Sequence, residues 1–226
     1  MAKILLIETS GPTLSVAIAD GGRVLEERVC TEPRMQASLT APLVKEVLDA
    51  AGLRAQDLDA VCVSKGPGSY TGLRVGVSTA KGICFGANVP LLSVCTLDIL
   101  AGDGRSEPAT TKVVPMIDAR RMEVYTAVYS PAGERLTDIE AKVIGPESFA
   151  EELAAGTVLF IGDGAMKCKA VLDSPNAIFR EAFPLASAMA PLAEKAYKEK
   201  QFEDLAYFEP FYLKEFVATL PRKNLL

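Results

Sequence analysis

The chain has 226 residues, 49% of them hydrophobic, with 24 lysines and arginines against 29 aspartates and glutamates and no histidine. This length fits one large or two small domains and is enough to bury an ample core. The net charge of −5 argues against a protein whose overall field holds nucleic acid. The missing histidine excludes Ser-His-Asp and Cys-His catalysis and any zinc site with a histidine ligand.

Strands and helices alternate through the first hundred residues. Their predicted bounds are, in chain order, strands over 3–8, 13–20 and 23–29, a helix over 36–50, a strand over 59–65, a helix over 73–86 and a strand over 90–94. Gly21-Gly22 is a hairpin signal, and Gly52 ends the first helix. The apolar stripe of that helix is formed by Leu39, Leu43, Val47 and Ala50. This order predicts parallel pairing with right-handed crossovers.

The second half shows weaker periodicity and begins after a stretch of linker composition at residues 102–111. We place a domain boundary there, between an N-terminal domain over 1–103 and a C-terminal domain over 104–226. The predicted elements of the second domain are strands over 112–118, 123–130 and 157–163, and helices over 146–155 and 185–200, the last broken or kinked at Pro191. The aromatic-rich tail over 202–216 is expected to pack against a domain. No short sequence repeat is found.

The cysteines and the apolar segments indicate a reduced, cytoplasmic protein without a membrane span. The cysteines are Cys30, Cys62, Cys84, Cys95 and Cys168. They are odd in number and form no CxxC pair, so a disulfide framework is not expected. No run of 18 apolar residues occurs, and Glu8 interrupts an apolar start that is too short for a signal peptide.

The segment over residues 8–15, Glu-Thr-Ser-Gly-Pro-Thr-Leu-Ser, lies at the turn between the first two strands. Small hydroxyl residues and a glycine let backbone N–H groups approach a phosphate, and an acidic residue at a strand end can hold magnesium or orient water. The same residue types also build ordinary strand-to-strand turns. Spacing alone leaves both interpretations open.

A glycine-rich connection over residues 65–76 follows one predicted strand and opens the next helix, where α/β proteins bind anions. It matches neither a Walker A loop nor GxGxxG. In the helix, Gly72, Gly76 and Ala80 share one face, whereas Gly82 and Gly86 lie on another. Because each interior glycine costs about 1 kcal/mol relative to alanine, a neighbouring backbone is expected close by, in this chain or in a partner subunit. The polar edge of the helix is formed by Arg74, Ser78 and Lys81.

Two charged turns in the second half carry weaker signals. Residues 118–121, Asp-Ala-Arg-Arg, follow a strand and either contact RNA or a partner or form a solvated turn. Residues 161–164, Ile-Gly-Asp-Gly, either line a nucleotide pocket or form an ordinary turn. The carboxylates Glu8, Asp118 and Asp163 are too scattered in sequence to indicate an acid–base pair.

Four segments together resemble those of one family. They are ILLIETSGPTLSVAI, SKGPGSYTGLRVGVSTAKG, VPLLSV and EPFYLKEF. The sequence is similar to the TsaB family, the partner subunits of the bacterial tRNA threonylcarbamoyladenosine machinery, formerly labelled glycoprotease-like. The resemblance is strong over the first hundred residues. It is thinner in the second half, where it rests on MIDARRMEVYTAVY and PFYLKEF.

This resemblance implies an α/β, actin/Hsp70/sugar-kinase-like (ASKHA) fold of two domains, the second degenerate. It implies a non-catalytic subunit needed to threonylcarbamoylate adenosine 37 of tRNAs that read ANN codons. The implied partners are a TsaD-like catalytic paralogue in a heterodimer, a TsaE-like ATPase, and tRNA through the complex, with a homodimer when the chain is alone. The alternatives are a metal-independent or residual glycoprotease-like peptidase, or a nucleotide-binding kinase-like enzyme.

The resemblance also implies a set of site residues. The family's partner-binding helices correspond to residues 36–50 and 73–86, with an interface of Leu39, Leu43, Val47, Gly72, Arg74, Val75, Gly76, Ser78, Thr79, Ala80, Lys81 and Ile83. The vestigial phosphate loop is Glu8, Thr9, Ser10, Thr13 and Ser15. Where the catalytic relative places metal-binding histidines, this chain has Met35, Gln36, Ala37 and Ser38. No metal, catalytic residue or required cofactor is therefore expected, while weak or vestigial nucleotide binding stays open.

Overall fold

The computed structural model describes residues 1–104 and 112–214, and in these residues two sheets of five strands each are formed. The strands of the first sheet are β1 (Lys3–Glu8), β2 (Leu14–Asp20), β3 (Arg23–Cys30), β4 (Ala60–Gly66) and β5 (Leu91–Cys95). Their order is β3-β2-β1-β4-β5, with antiparallel pairing on one side of β1 and parallel pairing on the other. The predicted parallel pairing of the strand–helix–strand units is thus confirmed.

Local signals set the ends of the first elements. Gly21 and Gly22 turn the chain between β2 and β3 with φ of 59° and 81°, a region that glycine occupies without steric cost. Helix α1 (Gln36–Ala51) ends at Gly52, which has φ of 66°. Helix α2 (Tyr70–Ala87) begins three residues before its predicted start because the Ser69 hydroxyl accepts a hydrogen bond from the amide of Gly72.

The second sheet repeats the topology of the first. Its strands are β6 (Lys112–Asp118), β7 (Glu123–Thr126), β8 (Glu140–Val143), β9 (Val158–Ile161) and β10 (Ala177–Arg180). Their order, β8-β7-β6-β9-β10, corresponds strand by strand to β3-β2-β1-β4-β5. The short helices α4 (Ala150–Ala155) and α5 (Ala165–Cys168) occupy the chain positions of α1 and α2. A structural repeat is therefore present without a short sequence repeat.

Two further helices exchange sheets and interlock the halves. Helix α6 (Ala186–Lys198) follows the second sheet but packs on one face of the first, with Met189 and Ala193 against Ile4 and Leu6. Its first amides are hydrogen-bonded by side chains of the first sheet: Ala186 N to Ser15 Oγ and Ser187 N to Glu27 Oε1, both at 2.8 Å.

Helix α3 (Thr96–Gly104) follows the first sheet and makes the reverse exchange. Its apolar side is buried with the second sheet, where Leu97 and Leu100 join Val113 and Ile161 in one core. The first three residues of the predicted linker are thus the end of a helix, while residues 105–111 lie outside the described chain.

Several predicted bounds in the second half are wrong for local reasons. The strand predicted over 123–130 ends at Thr126, and the helix predicted from 146 begins only at Ala150, after Phe149 with φ of 62°. Helix α6 passes through Pro191 without a break. Within the described residues, the elements that the sequence did not predict are α3, β8, β10 and a short 3-10 helix over Ala55–Asp57.

The tail forms a C-terminal strap, residues 201–214, across the first sheet and α2. Glu203 N donates to Leu91 O at 2.9 Å, and Phe211 N donates to Lys65 O at 2.7 Å. The Tyr212 ring lies 4.8 Å from that of Tyr70. The expectation that the tail packs against a domain is confirmed up to residue 214. Residues 215 and 216 lie outside the described chain.

Removing the packing between α6 and the first sheet should destabilise the whole chain. Met189 is fully buried, so Met189→Ala is expected to lower the free energy of unfolding by about 2–4 kcal/mol. The control is Met166→Ala, because the Met166 side chain is 44% exposed and should cost under about 0.5 kcal/mol. Urea unfolding of both variants measures the difference, and equal effects would contradict the exchanged position of α6.

Candidate functional site

The loop between β1 and β2 lies at the carboxyl end of β1, the edge of an open α/β sheet where ligands usually bind. Its hydroxyl groups are held inside the protein. Thr9 Oγ1 donates to Gly72 O at 2.8 Å, and Ser69 N donates to Ser10 O at 2.7 Å. The loop is thus fastened to the first turn of α2.

The glycines of α2 and of the connection before it make this close contact possible. A Cβ on Gly68, Gly72 or Gly76 would lie closer than 3.0 Å to an oxygen of Thr9 or Ser10. Real Cβ atoms do not approach so closely, so only glycine fits at these positions. The sequence left open whether the close neighbour of the helix glycines lies in this chain or in a partner subunit. For Gly72 and Gly76 that neighbour is the β1–β2 loop of this chain.

The loop offers no open phosphate cradle in the part of the chain that the structure describes. The predicted loop residues Glu8, Thr9, Ser10, Thr13 and Ser15 are all buried. The amide of Ser10, which a phosphate would use, donates to Glu8 Oε1 at 2.6 Å. The Ser15 hydroxyl is engaged by the first amide of α6. Nucleotide binding stays a prediction, and it would require this loop to open.

Glu8 is a completely buried carboxyl group. Its Oε2 atom has no hydrogen-bond partner among the described residues. Burial raises the pKa of Glu8 to about 7, against the lowering effect of its contacts with Ser10 and Ser64. The nearby Cys62 thiol, on β4, has its own pKa raised by burial. Near neutral pH the Glu8 carboxyl is therefore protonated in a large fraction of molecules, unlike a carboxylate prepared for magnesium.

The structure divides the predicted partner surface into three groups. Four of its residues are buried: Val47, Gly72, Gly76 and Ala80. Six are half-buried: Leu39, Leu43, Val75, Thr79, Lys81 and Ile83. Two are exposed: Arg74 and Ser78. Assigning the four buried residues to a partner surface is corrected, because the chain's own loop and core cover them.

One predicted interface residue has a role within the chain. Lys81 Nζ donates to the carbonyl oxygens of Ala206 and Phe208, at 3.1 and 3.2 Å, and so fastens the C-terminal strap to α2. Arg74 is exposed but donates to the hydroxyl of Tyr70, beside the strap residue Tyr212.

The side of α2 that points away from the sheet carries Ser78, which belongs to the predicted partner surface, and other residues that the sequence did not place in that surface. We define the outer face of α2 as Ser78, Gly82, Phe85 and Gly86. Phe85 is 83% exposed. A Cβ built on Gly82 or Gly86 would meet nothing within 4 Å in the described chain. The spacing of Gly82 and Gly86 could have drawn attention to Phe85 between them, but an apolar helical residue is usually assigned to the core.

The two charged turns of the second half lie side by side. Asp118 ends β6, and its amide donates to Asp163 Oδ1 at 2.9 Å. Burial raises the pKa of Asp163. The Asp118 carboxylate accepts from the amide of Arg120 at 2.8 Å and pairs with Lys167. The structure thus brings together two carboxylates that looked scattered in sequence, although Glu8 is not in their cluster.

Within 1–104 and 112–214, no cluster of three or more metal-ligating side chains could hold a metal ion. In these same ranges, no helix combines the length and apolarity needed to cross a bilayer.

Two five-stranded halves of one topology, with the phosphate-loop position between the first two strands, define the actin/Hsp70/sugar-kinase-like class. A 2-hydroxyisocaproyl-CoA dehydratase activator from Clostridium difficile shares this fold, with a TM-score of 0.51 and 10% identity over 88% of this chain and 97% of that one. At that identity the likeness concerns the fold alone.

The chain belongs to the TsaB family of tRNA threonylcarbamoyladenosine biosynthesis proteins. It is 30% identical to the Escherichia coli TsaB protein over 98% of this chain and 100% of that protein. A Pseudomonas aeruginosa structure described as similar to the peptidase YeaZ matches with a TM-score of 0.83 and 30% identity, over 95% of this chain and 100% of that one. The family model TsaD, tRNA N6-adenosine threonylcarbamoyltransferase, matches residues 34–221. The resemblance seen in sequence is confirmed.

The two kinds of glycine in α2 should respond oppositely to alanine. Gly76→Ala forces a methyl group onto the Thr9 side chain and is expected to cost about 3 kcal/mol of unfolding free energy. Gly82→Ala meets open space and should gain about 0.5–1 kcal/mol through helix propensity. Urea unfolding compares the pair, and a lower stability of Gly82→Ala would contradict the assignment of the outer face.

The buried carboxyl of Glu8 should make stability depend on pH. The unfolded chain ionises Glu8 from about pH 4.5, whereas the folded chain keeps the proton until about pH 7, so stability falls as pH rises between these values. The free energy of unfolding of Glu8→Gln should therefore be similar to that of the parent chain at pH 5 and about 3 kcal/mol higher than that of the parent at pH 8.5. Urea unfolding at both pH values measures this, with Glu46→Gln on the exposed side of α1 as control. Parallel pH curves for parent and Glu8→Gln would contradict the prediction.

Proposed function

We propose that this chain is the non-catalytic partner subunit of a tRNA threonylcarbamoyl transferase complex, needed for threonylcarbamoylation of adenosine 37 in tRNAs that read ANN codons. Its role is to bind a TsaD-like catalytic paralogue through the exposed sides of α1 and α2. A TsaE-like ATPase and tRNA join through the complex, and the chain pairs with itself when the paralogue is absent.

The outer face of α2 carries this proposal. An exposed phenylalanine between two glycines is a poor surface for an isolated helix, because the ring stays in water and each glycine weakens the helix. The same residues suit close contact with another helix, since glycine lets backbones approach and an aromatic ring supplies a large buried area. Nothing within the described chain uses them in this way.

The closed state of the β1–β2 loop supports a role without chemistry. A kinase-like enzyme of this fold class needs loop amides free for phosphate, but the Ser10 amide is bonded to Glu8 and the loop hydroxyls are buried. Calorimetry with ATP and magnesium tests that alternative, and tight binding with turnover would favour it over the proposal. The peptidase alternative is tested by a protease assay on the purified chain.

The outer face should control assembly without affecting folding. Phe85→Asp is expected to weaken association with the catalytic paralogue at least tenfold, because it puts a charge at the centre of the proposed contact. The stability of the chain alone should not change. The control is Val143→Asp on β8, which changes another exposed apolar residue, 70% accessible, in the other half. Analytical ultracentrifugation of the mixed proteins measures association.

Modification assays then separate assembly from catalysis. With an activated threonylcarbamoyl donor and the ATPase supplied in every assay, the chain and the paralogue should each be inactive alone and active together on an in vitro transcribed tRNA. Phe85→Asp should lose activity at low protein concentration and recover it at high concentration, because mass action restores the complex. Unchanged association of Phe85→Asp would contradict the interface. Full assembly without recovered activity would contradict a purely architectural role.

A further inference from the structure

The β6–β7 turn carries two arginines in a backbone conformation that arginine disfavours. Ala119 N donates to Glu123 O at 3.1 Å and Glu123 N donates to Arg120 O at 3.2 Å, which closes the turn. Arg120 has φ of 72° and Arg121 has φ of 51°, in the left-handed region that favours glycine and asparagine. The local backbone therefore gains nothing from having arginine at either position.

Neither arginine obtains a compensating contact inside the described chain. Both side chains are exposed, and neither guanidinium has a hydrogen bond or ion pair within residues 1–104 and 112–214. The acidic neighbours are already engaged, since Asp118 pairs with Lys167 and Glu123 pairs with Lys214 of the C-terminal strap. The turn thus presents two unpaired positive charges on a chain whose net charge is −5.

The surroundings fix the turn in place. The Asp118 carboxylate binds the amide of Arg120, and the amide of Asp118 is bound in turn by Asp163. Lys167 Nζ also donates to Glu123 O at 2.7 Å, and Lys214 lies over the Tyr125 ring. These polar contacts hold the backbone of the turn, so the points from which both arginine side chains project are fixed before binding, and only side-chain freedom remains to be lost.

We propose that Arg120 and Arg121 contact the phosphate backbone of RNA. Guanidinium groups bind phosphate oxygens in a bidentate manner, and phosphate contacts orient a protein on a nucleic acid without reading its sequence. RNA is favoured over a free nucleotide because the arginines lie on an exposed turn, whereas small ligands bind in concave pockets. The proposal rests on the proposed function, in which the substrate of the complex is a tRNA.

The test replaces the arginines by residues that the turn prefers. Arg120→Asn with Arg121→Gly should keep or raise the unfolding midpoint of the full chain, because the backbone strain is relieved. In complex with the catalytic paralogue, the double variant should bind an in vitro transcribed tRNA about five- to tenfold more weakly. The slope of log affinity against log salt should fall by about 1 to 2, one unit for each phosphate that is no longer neutralised. Fluorescence anisotropy at several salt concentrations measures both.

Matched variants separate position from charge. Arg34→Asn removes another exposed arginine with a left-handed backbone, φ of 67°, from the first half of the chain. It should leave tRNA affinity unchanged. Arg120→Lys with Arg121→Lys keeps both charges and should retain most of the salt slope, although lysine binds phosphate without the bidentate geometry.

The outcomes distinguish this proposal from the proposed function. The RNA contact is overturned if the double variant binds tRNA with the affinity and salt slope of the wild-type chain. It is also overturned if the double variant binds the paralogue or ATP more weakly while its tRNA binding is intact. Failure of the unsubstituted chain to associate with the paralogue overturns the proposed function instead. The same titration of the chain alone at low salt then decides the RNA contact, which is overturned if the chain and its double variant bind equally.

Discussion

The contact between Thr9 and the glycine face of α2 determines much of this structure. Because Gly72 and Gly76 have no side chains, α2 approaches the end of β1 closely enough for the Thr9 hydroxyl to bond a helix carbonyl. That approach fills the space in which a phosphate loop would open, and it seals Glu8 from water at the strand end. It also fixes the rotation of α2 about its axis, so that Ser78, Gly82 and Phe85 point away from the sheet. A closed loop and an outward-facing helix surface follow from one backbone contact.

The repeated topology places an acidic residue at the end of the equivalent strand in each half of the chain. Glu8 ends β1 and Asp118 ends β6, and these strands are equivalent in the two sheets. In the first half the turn after the strand is buried, and desolvation favours the neutral form of the carboxyl group. In the second half the turn is exposed, the carboxylate is paired with Lys167, and two arginines project beside it. The turn after β1 is therefore part of the packed interior, whereas the turn after β6 presents charged side chains at the surface.

Sequence patterns predicted the elements that have a strong local signal. The buried strands of the first sheet, the Gly21-Gly22 turn and the Gly52 helix end were all predictable, because each depends on residues close in sequence. The packing of α3 and α6 on the opposite sheets was not predictable from the sequence. An apolar helix face indicates that the helix will be buried, but it does not indicate which sheet will cover it. The Gly-Asp-Gly end of α3 looks like a linker by composition, and β8 is too short and exposed to show alternation. For the site, glycine spacing in α2 indicated a close neighbour, but only the structure identifies it as Thr9 for one face and leaves the other face open.

A residue that weakens local structure needs a reason, and the reason is either inside the chain or outside it. Gly72 and Gly76 have an internal reason, because any side chain there would collide with the β1–β2 loop. Gly82 and Gly86 have none among the described residues, although each weakens the helix by about 1 kcal/mol relative to alanine. The same holds for Arg120 and Arg121, which have a disfavoured backbone conformation and no side-chain partner in the described chain. Functional sites are where local preference and observed residue disagree without internal compensation. Within the described residues, the outer face of α2 and the β6–β7 turn both meet that criterion, and this is why we propose them as contact surfaces for other molecules.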